Sequence, residues 1–207
     1  MNNWNEERKD QQKADKFVQL LIEDFEADLR LYEEDIQILQ EIISRKDSIK
    51  AQFDTTAVNR ESLRAAMSIF EDRVYNYDEP NTATIKALLS SGDIELMPDS
   101  VARMIRELHQ KQIMITVNEA EDLHLLQNMY VQLLEDIPFS FGNNELFNDE
   151  RMIEAIWEMR SEEELALIMF NSFSVRKQSD KRSLNRYQFM NKETIRVLNI
   201  LKSHNQN

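Results

Sequence analysis

Residues 22–43 read IEDFEADLRLYEEDIQILQEII, and their spacing decides the fold class. Ile22, Phe25, Leu29, Tyr32, Ile36, Leu39 and Ile43 follow at alternating steps of three and four. That period puts them on one stripe of an α-helix packing at a small crossing angle. Val18 extends the stripe backward and Ile49 and Phe53 extend it forward, so a helix is predicted from about residue 5 to 53. It would be on the order of 70 Å long at about 1.5 Å per residue. A helix of that length needs long partners.

Composition agrees. The 207 residues include only 2 Gly and 3 Pro, which withholds most of what tight turns, hairpins and phosphate-binding loops require. With 42% hydrophobic and 30% charged residues the chain can bury a core, and a single helical domain over 1–207 is expected. There is no Cys, so disulfides, thiolate nucleophiles and Cys-ligated metals are excluded, while the compartment stays open. No run of about 18 apolar residues and no export leader occurs in the sequence given. The net charge of -13 is uneven, because residues 174–207 carry 8 basic against 2 acidic side chains.

Outward from the first helix, Leu63, Met67, Phe70 and Val74 predict a second. Pro80 ends that stretch, Asn81-Thr82 offers a cap for a short helix, and Gly92 ends it. Pro98-Asp99 opens another long helix with Asp99 as its N-cap. Val101, Ile105, Leu108, Ile115, Leu126, Met129 and Leu133 form its stripe, interrupted by Gln112, Glu119 and Asp122. After Pro138, residues 139–148 read as a loop containing Gly142-Asn143-Asn144, and Met152, Ile153, Ile156 and Trp157 as a short helix. Ser161-Glu162-Glu163-Glu164 is a capping box opening a last helix to about residue 203. Its apolar positions, Leu165, Ile168, Met169, Phe173, Leu184, Tyr187, Leu198 and Leu201, thin out between Arg176 and Arg182, where a hinge is expected. No repeat is present, and the architecture expected is an all-α, elongated bundle of three to four long helices with short accessory helices.

Few constellations carry chemistry. Glu121-x-x-His124 would set a carboxylate and an imidazole on one helix face, as in di-iron bundles, but that site needs a second copy and two further glutamates. His109 and His204 supply no second copy, so a surface pair is the expectation and no metal site is assigned. His109 or His124 as a phosphoryl acceptor is outweighed by an ordinary polar-face histidine. Glu33-Glu34-Asp35 reads as a solvated face and Glu162-Glu163-Glu164 as part of a helix cap. Arg176, Lys177, Lys181, Arg182 and Arg186, near Tyr187 and Phe189, could bind nucleic acid or anionic lipid. Pairing with the acidic body at 61–173 is the better reading, and the ten Met residues read as core fillers.

Asn2-Asn3-Trp4-Asn5-Glu6-Glu7-Arg8-Lys9 resembles the segment just after the transmembrane helix in an uncharacterised family of bacterial single-pass membrane proteins. Thr84 to Leu96, containing Leu89-Ser90-Ser91-Gly92 and followed by Pro98-Asp99, is similar to that family's second recurrent segment. The basic leader and apolar helix that precede this point in the family are missing from the sequence given. The resemblance implies an inner-membrane, single-pass protein with this domain extracytoplasmic, residues 1–10 juxtamembrane and Trp4 near the interface. It implies no catalytic residue. The reading reached is a non-enzymatic sensor, scaffold or partner-binding domain that associates through its helices, with no cofactor, no nucleic acid and no identifiable small molecule. The alternatives are metal binding through Glu121 and His124, or binding of nucleic acid or anionic lipid through the basic C-terminal helix.

Overall fold

The heptad stripe, the scarcity of breakers and the caps produce the helices expected. The computed structural model describes residues 2–55, 59–64, 79–136, 155 and 158–204. Among these residues there is no strand. The helices are α1 (Asn2–Thr55), α2 (Ala83–Ser91), α3 (Asp99–Asp136) and α4 (Glu162–His204), with a 3-10 turn at Asp93–Leu96 between α2 and α3. A further helical turn covers 60–64. Met67, Phe70 and Val74, the 139–148 loop and the helix expected around Met152 to Trp157 lie outside the described residues. None of the described helices is long and apolar enough to cross a membrane.

Local signals account for the boundaries. Gly92 ends α2 in the left-handed region at φ 77°, where a side chain is strained. Ser161 opens α4 with the reciprocal bonds of a capping box: its amide donates to Glu164 Oε2 at 3.1 Å, and the Glu164 amide donates to Ser161 Oγ at 3.2 Å. A second such box, not anticipated from the sequence, joins Asn59 and Ser62 at 2.8 and 3.0 Å. Two predicted caps differ. Thr82 stands at the start of α2 without a side-chain cap bond. Asp99 lies inside α3, because the Pro98 carbonyl already accepts from the amides of Val101 and Ala102. Proline lacks an N–H but keeps its carbonyl, so it can stand at a helix start without loss.

The buried stripe of α1 keeps Val18, Ile22, Phe25, Tyr32, Leu39 and Ile49 of the sequence reading, but Asp28 and Asp35 take the places expected for Leu29 and Ile36. Ala14, Val18, Leu21, Phe25, Asp28, Tyr32, Asp35, Leu39, Lys46 and Ile49 are buried, at steps of three, four or seven. Half-buried Ile42 fills the seven-residue gap. Ile22 is also buried, whereas Leu29, Ile36 and Ile43 are half-buried flanks. The apolar pattern misled because Asp28, Asp35 and Lys46 occupy core positions. Asp35 therefore corrects the reading of Glu33-Glu34-Asp35 as a solvated face, although Glu33 and Glu34 are exposed.

The other long helices behave alike. In α3 the stripe runs through Val101, Ile105, Leu108, Gln112, Ile115 and Glu119, so Gln112 and Glu119, which seemed to interrupt it, are buried within it, while Asp122 is half-buried. In α4 it runs Leu165, Met169, Ser172, Arg176, Ser179, Ser183, Tyr187, Met190, Thr194, Val197 and Leu201. The helix is unbroken through 176–182, where polar side chains fill the core positions instead of leaving a gap. From Ser179 through Ser183 to Tyr187 the step is four and then four, a stutter that locally lengthens the period.

The chain forms two compact units. The first comprises Met1–Ile38, Asp78–Asn118 and Leu184–Asn207; the second comprises Leu39–Tyr77 and Glu119–Ser183. The described core of the first is mostly apolar, with Phe25, Tyr32, Ile85, Leu88, Ile105 and Tyr187 almost fully enclosed. Tyr32 and Tyr187 meet with ring centroids 5.9 Å apart at 52°. In the second, the described apolar core is Leu39, Ile49, Leu63, Leu165 and Met169 beside a larger set of polar residues. With Leu21 fully buried and Leu29 only a flank, Leu21→Ala costs about 2–5 kcal/mol by cavity formation. Leu29→Ala should cost less than half as much, both read from urea unfolding midpoints; equal costs would restore the original stripe.

Candidate functional site: polar layers in the helical core

Helical periodicity places two sets of polar side chains in the interior, one in each unit. In the first, Asp28 of α1 is fully buried. Its Oδ1 accepts from the Asn81 backbone N–H at 2.7 Å and from Asn81 Nδ2 at 2.9 Å. Its Oδ2 accepts from Gln112 Nε2 of α3 at 3.1 Å. Asn81, read from sequence as a cap for α2, thus serves Asp28 instead. Burial pushes the Asp28 carboxyl up to about 6 against the opposing pull of the Asn81 bonds, with Asp24 adding repulsion.

The partner oxygen of Gln112, Oε1, is buried without a hydrogen bond. Reversal of that amide would turn Oε1 toward Asp28 Oδ2, so a protonated Asp28 could donate where the ionised form accepts. The Gln112–Asp28 bond can therefore form in either protonation state. His109, buried beside it on α3, is held below the usual imidazole range by burial, with Gln112 opposing and Lys86 assisting. Its burial corrects the expectation of a polar-face histidine.

The second layer is ionic. Lys46 Nζ of α1 donates to Asp180 Oδ2 of α4, both groups buried. Burial pulls the Lys46 ammonium down to about 8 despite Asp180, and Arg176 adds repulsion. Burial also lowers Arg176, with Asp180 opposing. Ser183 Oγ donates to Glu119 Oε2 of α3 at 2.8 Å. Buried cations Lys46 and Arg176 are thus matched by buried carboxylates Asp180 and Glu119.

The residues singled out from sequence sit elsewhere. Glu121 and His124 are both exposed on α3. Among the described residues no group of three or more His, Asp or Glu side chains is arranged to hold a metal ion. The basic stretch of α4 is internally paired: Arg182 makes two bonds to Asp122, at 2.8 and 3.3 Å, and Lys177 pairs with Asp47. Asp122 lies in the acidic body foreseen, whereas Asp47 belongs to α1. Met97, Met169 and Met190 are buried core fillers, while Met114 and Met159 are exposed. Sequence reasoning missed Asp28, Lys46 and Asp180, and the available signal was their heptad spacing to Leu21, Leu39 and Tyr187. Comparison with protein-family models, with curated proteins and with solved structures finds no match.

Two predictions follow the two layers. Because its folded-state pKa stands above the usual 3.8, Asp28 contributes most to stability below about pH 4 and loses that contribution as pH rises through about 6. Between pH 4 and 7 the wild type should lose about 2 kcal/mol more stability than Asp28→Asn, read from urea unfolding across that range. Parallel profiles would refute this. For the ionic layer, Asp180→Ala should cost about 3–5 kcal/mol, and Lys46→Met combined with Asp180→Leu should recover most of it. A double variant as unstable as the single one would show that the pair itself, and not an orphaned charge, sets the cost.

Proposed function

We propose that this chain is a non-enzymatic helical domain, tethered to the inner membrane and lying outside the cytoplasm, that binds a protein partner as a sensor or scaffold. The observation carrying the reading is the first part of α1. Every side chain from Trp4 to Lys13 is exposed, and the packed stripe starts only at Ala14. Trp4 is 67% exposed, and the Arg8 guanidinium lies 5.8 Å from the centre of its ring. An exposed helical segment, tied among the described residues only at its end, by Lys13 to Asp93 at 2.7 Å, with an exposed Trp beside a cation, suits a membrane–water interface, where an apolar ring with a polar edge is favoured. The resemblance of residues 2–9 to a juxtamembrane segment points the same way.

The polar layers suit a partner-binding role better than catalysis. Asp28 bonds to Asn81 and Gln112, Lys46 to Asp180 and Ser183 to Glu119, all inside helical packing. Such layers fix helix register at a cost in stability. Helices of fixed register offer a defined surface to a partner.

The absence of Cys makes the test direct. Glu163, exposed near the start of α4, is replaced by Cys in the protein expressed in its host, and spheroplasts are treated with a membrane-impermeant maleimide. The expected result is sedimentation with the inner membrane and labelling before lysis. Recovery in the soluble fraction with labelling only after lysis would overturn the proposal.

A further inference from the structure

Within the second unit, α4 carries an outward stripe besides its buried one. Glu163, Leu167, Phe170, Ser174 and Lys177 follow at steps of four, three, four and three, which sets them on one side of the helix. Leu167 is 63% exposed, Glu163 and Ser174 are exposed, and Phe170 and Lys177 are half-buried. Apolar side chains at heptad spacing, with an acid at one end and a base at the other, make the pattern of a packing seam.

The order of residues along the stripe selects the occupant. A contact between two copies related by a twofold axis brings residues together in reciprocal pairs, so the face must complement itself. Two α4 helices laid antiparallel about an axis beside Phe170 set Leu167 of each against Ser174 of the other, with the two Phe170 rings side by side. The small Ser174 leaves the space that the large Leu167 fills. Glu163 of each copy then comes beside Lys177 of the other, with Lys181 one turn further on. Lys177 pairs with Asp47, and Lys181 acts on the same carboxylate, so in the pair Glu163 shares these two cations with Asp47. A parallel pair would instead set Glu163 against Glu163 and Lys177 against Lys177. A second exposed apolar patch, Ile113, Met114 and Val117 of α3, has Glu107 and Glu121 at its two ends, so carboxylate meets carboxylate in either direction of pairing.

We propose that this face of α4 is the contact surface for a second copy of the chain, forming an antiparallel dimer with twofold symmetry. A single helix pair of this length buries less than the about 1,200 Å² at which standard interfaces begin, so the dimer is weak, with a Kd on the order of 100 μM. The inference stands apart from where the protein resides and from any other partner it binds.

Sedimentation equilibrium of the full chain, loaded from about 10 to 500 μM to span that Kd, tests it. The expected result is a monomer–dimer equilibrium. Leu167→Glu should weaken it by about tenfold or more and Glu163→Lys by about threefold, both with thermal unfolding nearly unchanged because the positions are exposed. Since the chain has no Cys, Leu167→Cys and Ser174→Cys report the direction of pairing. A mixture of these two variants should form a disulfide-linked pair under mild oxidation. Neither should cross-link to itself, because like positions lie about 10 Å apart along the helices. A monomer at every concentration, a dimer indifferent to both charge substitutions, or cross-linking of Leu167→Cys with itself would each overturn the proposal.

Discussion

A polar side chain at a core position of a helical bundle must find its partner on another element at the same level, because water cannot reach it there. That requirement governs much of this molecule. Asp28 can be buried only where Asn81 and Gln112 reach its two oxygens, which ties the start of α2 and one turn of α3 to one turn of α1. A slip of α3 by one heptad would leave Gln112 away from Asp28 and put Ile105 or Glu119 against its carboxylate. Apolar contacts alone are forgiving about such slips; these bonds are not.

The same requirement separates the two units. In the first, a single carboxyl layer sits among large enclosed side chains such as Phe25, Tyr187 and Ile105. In the second, the described interior gives several consecutive positions of α4 to Ser172, Arg176, Ser179 and Ser183. Among these residues Ser183 bonds to Glu119 and Lys46 to Asp180, so the polar side chains of this interior find partners on other helices.

Much of this was legible in the sequence. Long helices followed from the three-four spacing and the lack of Gly and Pro, and the ends at Gly92 and Ser161 followed from residues whose local chemistry leaves few alternatives. The stripe on α1 was legible at Phe25, Tyr32 and Leu39 but not between them, because an apolar search passes over Asp28 and Asp35 and settles on Leu29 and Ile36. Partnering decides which residues go inside, and a partner such as Asn81 is a neighbour in space only.

The two layers also respond to pH in opposite senses. Asp28 is raised, so acidification below about 6 relieves the cost of burying its charge. Lys46 is depressed, so its contribution is complete only above the ordinary lysine value and is lost as pH falls through about 8. Between these values both interiors hold a full charge at a cost, the first offset by the amides of Asn81 and Gln112 and the second by Asp180. Near neutrality each unit is therefore less stable than its packing alone would make it. A proton gained relaxes the first and a proton lost relaxes the second, so the helices that run through both carry an opposed pair of responses along one continuous backbone.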